Sequence, residues 1–125
     1  MPEAFRRGTV EWALLAYVVV VELLLTLSPF RFHWPAQSLP SLWSDAQDAP
    51  ANLLLFLPVG YFLRLALHRS HRHPVAAAIA FGALLSVCIE TLQLFLPDRL
   101  ASLFDVLSNA AGAGAGALLC GAMRR

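Results

Sequence analysis

The sequence predicts an all-α, polytopic membrane protein: a small antiparallel bundle of four transmembrane helices with both termini cytoplasmic. Three observations predict it. Four apolar runs are each long enough to cross a bilayer, which takes about 17–25 helical residues. Hydrophobic residues make up 58% of the 125 and charged ones 14%, against about 45–50% and about 25% in soluble domains. Arginines, which are the only strongly basic residues, collect on alternate connections, and that bias sets orientation. A chain of this length holds one domain, residues 1–125.

The first run, residues 10–28, follows Arg6 and Arg7 and so looks like a signal peptide. It lacks a small-x-small cleavage site and ends at Pro29, which reads as a retained helix. The second, residues 50–67, is the shortest and carries Pro58 and Gly60, so a kink is expected where proline removes a backbone donor. Residues 75–96 and 103–122 form the third and fourth. Arg64, Arg69 and Arg72 surround the turn between spans two and three, and Arg124 and Arg125 close the chain. The two other connections carry Arg31 and Arg99 singly, offset by Asp45, Asp48 and Asp98. Every basic cluster therefore falls on one side, the cytoplasmic one. The outer connection, residues 29–49, holds Phe30, Phe32, Trp34 and Trp43. Such aromatics prefer the headgroup level, either as a passive belt or as a cover for the helix ends.

On this topology the polar residues converge. Counted from the outer helix ends, Glu22 and Glu90 each lie six residues in, roughly 9 Å deep at 1.5 Å per residue. Asn109 sits about as deep, Asp105 about one turn nearer the surface, Asn52 at the outer boundary, and Arg99 in the outer turn. Gly82, Ser86, Glu90 and Gln93 share one helical face. Asp105 and Asn109 continue into Gly112 and Gly116, a spacing that lets helices approach closely. Because spans three and four are joined by few residues, their small and polar faces are expected to meet, with Arg99 reaching into the cluster.

Structural roles compete with functional ones. Ser102-x-x-Asp105 matches a capping box, and Gln93 and Asn109 suit interhelical hydrogen bonds. Asn52 suits a helix start. Glu22 suits the interface or a pairing with Arg31, and Arg64 suits snorkelling. Glu90 has no capping role in view and lies too deep to reach water, so it is the leading functional candidate. Cys88 and Cys120 differ in depth by roughly 14 Å, which rules out a disulfide, and both are expected to be buried. His68, His71 and His73 share the inner turn, but no Cys or carboxylate accompanies them, so a basic loop meeting anionic lipids is preferred to a metal site. No metal, cofactor or nucleic-acid partner is expected.

These residues also form an ordered set: Asn52-x-x-x-Phe56-x-Pro58-x-Gly60, Ser86-x-x-x-Glu90-x-x-Gln93, Pro97-x-Arg99, and Asp105-x-x-x-Asn109-x-x-Gly112. The set resembles the VanZ-like membrane proteins over residues 52–116, more than half the chain. The resemblance implies a bacterial inner-membrane protein of about four helices. The family is named for a protein that contributes low-level resistance to the glycopeptide teicoplanin. It supplies no catalytic roles. It implies only that Asn52, Glu90, Gln93, Arg99, Asp105 and Asn109 occupy motif positions.

Three functional classes fit the residues. One is an outer-leaflet site that binds or modifies an amphiphile, such as a lipid-linked envelope intermediate, with Arg99 offering a planar fork to phosphate or carboxylate. A second is a non-catalytic assembly protein, the glycine surface and polar residues holding together a bundle, homo-oligomer or envelope complex. A third, a proton-coupled transporter using Glu90 and Asp105, has little room in four short helices and no inverted repeat to support it.

Overall fold

The computed structural model describes residues 3–34, 48–67 and 71–125, with side chains described from Gly8 onward. Trp43, Asp45, His68 and Arg69 lie outside the described residues. The chain forms α1 (Glu3–Leu27), α2 (Ala49–Ala66), α3 (Pro74–Gln93) and α4 (Leu103–Met123), with no strand among the described residues. All four are long and apolar enough to span a membrane. Prolines open α2 and α3 in the first turn, where the missing N–H has no helical partner in any case. Pro58 lies inside α2, and the helix runs through it unbroken.

Consecutive helices are antiparallel, as expected, but the closest pair is not consecutive. The most extensive contact joins α2 to α4, followed by α3 to α4. The former runs parallel: Asn52 meets Asp105 at one end, and Arg64 meets the Ala117 carbonyl at the other. Helix α1 packs chiefly on α2, with less contact to α3, and is the least buried of the four, whereas α4 is the most buried.

Small residues make the α2–α4 seam. A Cβ added to Gly112 or Gly116 would collide with the backbone carbonyls of Leu53 and Leu57, and one on Gly60 with the carbonyl of Ala113. Close backbone approach is how helices associate in lipid, where burying one apolar side chain against another gains little over leaving it in hydrocarbon. Gly112 and Gly116 thus face α2 rather than α3, contrary to the expectation drawn from the short connection. Helix α3 meets the neighbouring stripe of α4 instead: a Cβ at Gly82 would lie 2.6 Å from that of Ala113. The seam consumes the glycine pair within one chain, which removes it as a homo-oligomer surface.

Around this seam sit Phe56, Val59, Leu63, Ala78, Ile89 and Cys120, all buried. Cys88 is exposed on α3 rather than buried, and both cysteines are free. Large apolar side chains such as Tyr17, Leu54, Leu84, Leu107 and Leu118 face outward, as the hydrocarbon requires. Thr26, Thr91 and Ser108 return their hydroxyls to carbonyls four residues earlier, satisfying themselves without water.

Gly116→Ala should destabilise the folded protein by about 1–3 kcal/mol, the range for overpacking. Gly8→Ala, with nothing within 4 Å of its added Cβ, should leave stability unchanged or raise it by about 0.5–1 kcal/mol. Thermal unfolding of the two variants in mild detergent checks both.

Candidate functional site

The polar residues collect where α1 and α3 end and α2 and α4 begin. Helix α3 stops at Gln93, three residues short of the expected end, because Leu94, Phe95 and Leu96 turn toward α4. Glu90 therefore lies in the last turn of α3, about 4.5 Å from its end at 1.5 Å per residue, and is half-buried rather than deep.

That position gives Glu90 a role absent from the sequence reading. Its Oε2 accepts the backbone N–H of Ser102 at 2.7 Å, and Ser102 is the N-cap of α4. In a capping box this N–H would go to the carboxylate three residues on, here Asp105. Asp105 instead accepts from Asn52 Nδ2 at 2.8 Å, and Ser102 makes no side-chain cap bond. The expected Ser102–Asp105 box is thus replaced: α3 caps α4, and Asp105 is released to bind α2. A carboxylate beside a helix N-terminus also meets the positive end of the macrodipole. The carboxyl groups of Glu90 and Asp105 converge on the start of α4.

The amides tie helices together. Asn109 Nδ2 donates to Ser86 Oγ at 2.8 Å, joining α4 to α3, and both residues are buried. Gln93 Nε2 donates to the Thr26 carbonyl at 3.1 Å, joining α3 to α1. Three buried polar atoms have no partner among the described residues: Ser102 Oγ, Asn109 Oδ1 and Glu22 Oε2. Glu22 is buried on α1 and does not pair with Arg31, which is exposed.

Arg99 is exposed in the α3–α4 turn, and its side chain shows no hydrogen bond or ion pair among the described residues. It does not reach into the cluster as the sequence reading expected, but stands beside it. Above the same end, residues 30–34 lie over α3. The His33 N–H donates to the Phe95 carbonyl at 2.8 Å, and the Trp34 and Phe95 rings are 5.8 Å apart. Phe32, His33, Trp34, Leu92 and Phe95 line a shallow cleft of about 430 Å³.

At the opposite end Arg64 does not merely snorkel. Its guanidinium passes over Gly121, where any Cβ would strike it, and donates to the Ala117 carbonyl at 2.8 Å. Cations favour the C-terminal end of a helix for the dipole reason. Arg124 approaches Glu11 at 3.8 Å in a part-exposed pair, a geometry worth little in stability.

The six candidate residues therefore divide. Gln93 and Asn109 are buried and engaged between helices, Asn109 through the buried Ser86. Asn52, Glu90 and Asp105 are half-buried at the bundle end, and Arg99 is open beside them. No group of three or more metal-ligating side chains occurs among the described residues. A protein-family model described as VanZ/LLP1 matches residues 6–124, and with them all six candidates. No curated protein and no solved structure matches the chain.

Replacing Glu90 with Leu should cost about 1–3 kcal/mol, the penalty for stranding a buried donor, here the Ser102 N–H. Glu90→Gln keeps an acceptor oxygen and should cost less than half as much. Equal losses in detergent-unfolding experiments would remove Glu90 from the capping role.

Proposed function

The chain belongs to the VanZ/LLP1 family, and on that premise we propose that it binds the polar headgroup of an amphiphilic cell-envelope molecule. The observation that carries this reading is the division of the polar cluster. The buried members hold the helices together. The half-buried carboxylates of Glu90 and Asp105, the Asn52 amide and the unengaged Arg99 remain at the rim.

Four features support a headgroup as the ligand. Arg99 presents a planar fork suited to phosphate or carboxylate. Asn52 and Asp105 already hold each other and need no rearrangement to offer their remaining acceptor and donor positions. Glu90 reaches the same bundle end, accepting from Ser102, which lies one helical turn before Asp105. The exposed aromatics Phe32 and Trp34 over this end suit the membrane–water boundary.

Orientation follows from the arginines. Arg64, Arg72, Arg124 and Arg125 lie at the end opposite the cluster, and the preference of arginine-rich ends for the cytoplasmic side supports an outer-leaflet cluster in a bacterial inner membrane. There it can meet lipid-linked envelope intermediates or lipid-tailed glycopeptides, and altered teicoplanin sensitivity is the phenotype the family name suggests.

A second reading has its own observation in favour. Each buried amide, and Asn52 as well, donates to a different helix, as expected of a scaffold whose polar residues are interhelical glue.

Complementation of a deletion strain separates the two. At matched membrane abundance, Glu90→Gln, Arg99→Ala and Asp105→Asn should each reproduce the deletion in envelope-precursor levels or glycopeptide sensitivity. Wild-type behaviour in all three would sink the headgroup reading and leave the scaffold. Topology is checked separately with single cysteines in a Cys88→Ser, Cys120→Ser background. A membrane-impermeant maleimide should label Asp98→Cys in intact spheroplasts and should label Arg125→Cys only after lysis.

A further inference from the structure

The cleft between α1 and α2 lies outside the site described above and has walls of its own. It measures about 520 Å³ and is lined on α1 by Tyr17, Val21 and Glu22, and on α2 by Ala51, Leu54 and Pro58, within the range of small-molecule sites. Its walls are almost wholly apolar, and exposed Tyr17, Ala51 and Leu54 mark its mouth toward the surrounding hydrocarbon.

Two features break that apolar character. Glu22 is only 3% exposed, and its Oε2 has no partner among the described residues. An unpartnered buried carboxyl is costly and calls for an explanation. Pro58 has no N–H, so the Leu54 carbonyl lacks its ordinary helical donor. In an α-helix the carbonyl of residue i is directed toward residue i+4. Both Leu54 and Pro58 line the cleft, so the carbonyl freed by the proline lies along this wall. The cleft therefore offers acceptor oxygens from both helices; the exposed Tyr17 phenol at its mouth is the one side-chain donor among the described residues of its lining, and Glu22 Oε2 receives no hydrogen bond from it.

We infer that the α1–α2 cleft is a membrane-facing binding site for a slender apolar molecule carrying one hydrogen-bond donor, a long-chain alcohol or amine, with Glu22 as its polar contact. Depth selects this class over ordinary phospholipid. Glu22 lies five residues before the end of α1 at Leu27, about 7 Å below the helix end at 1.5 Å per residue. A phosphate cannot be carried to that depth beside a carboxylate without heavy desolvation and like-charge costs. A hydroxyl or amine on an alkyl chain can. Looseness of the wall supports entry, since α1 is the least buried of the four spans.

The test uses the full chain in phosphatidylcholine nanodiscs with three photoreactive C16 diazirine probes: an alcohol, a primary amine and the methyl ether of the alcohol. Crosslinks are mapped by peptide mass spectrometry. The alcohol or the amine should label the α1 and α2 segments around Glu22 at least fivefold above the ether, and the difference between them identifies the headgroup. Glu22→Leu should abolish that excess while labelling elsewhere is unchanged. Ala51→Phe, which narrows the cleft and leaves Glu22 in place, should do the same and decides the matter alone if Glu22→Leu does not fold. Equal labelling by all three probes, or an excess that survives both substitutions, overturns the site. Neither result bears on Arg99 or Glu90, so this inference and the headgroup reading stand or fall separately.

Discussion

Backbone contact between α2 and α4 is the constraint on which the rest of the molecule depends. In hydrocarbon, apolar side chains have little to gain from each other that lipid does not already provide. What remains is close packing, and Gly60, Gly112 and Gly116 supply it by letting carbonyls of the facing helix approach where a side chain would stand. Hydrogen bonds clamp both ends of the seam, Asn52 to Asp105 and Arg64 to the Ala117 carbonyl, and in each the partners are separated by 53 residues. That constant offset is what a parallel pair in fixed register produces. Helix α3 then fits the adjacent stripe of α4, and α1 completes the bundle from the far side.

The polar residues are arranged by the same shortage of water. Hydroxyls bond back within their own helices, amides cross between helices, and a carboxylate of α3 satisfies the first N–H of α4. Titratable groups meet α4 at its two ends, where the helix dipole favours them: a carboxyl group at its start and a guanidinium at its end. What is left over after this internal pairing is small and localised. Among the described residues it includes Arg99 in the turn, the open positions of Asn52, Asp105 and Glu90, Ser102 Oγ and Asn109 Oδ1, and the separate carboxyl of Glu22.

Much of this was legible in the residues alone. Run length gave the four spans, and helical spacing placed Ser86, Gln93 and Asn109 on buried faces. The missed features share a cause: each depends on which helix stands opposite. Loop length pointed Gly112 and Gly116 at α3, since chain proximity carries no information about a partner two helices back. The apolar Leu94-Phe95-Leu96 continues the hydropathy of α3 past its end at Gln93, so Glu90 looked deep and unable to cap. A capping box is a local pattern, and its replacement by a carboxylate from another helix leaves no local trace. Glu22 suited the interface because charges near a span end tend to reach it, but its side chain is buried and does not pair with Arg31.

The pairing of α2 with α4 also has a bearing on how the protein is made. Spans emerge from the ribosome in order, and the tightest contact joins the second to the last. Until α4 has entered the bilayer, α2 displays Gly60 and a row of unoccupied backbone to lipid, Asn52 lacks its carboxylate, and Glu90 has no N–H to accept. A nascent chain of three spans therefore holds its least favourable surfaces open. The α2–α4 seam can close only once α4 is in place, and a chain that stops before Gly112 has no native seam.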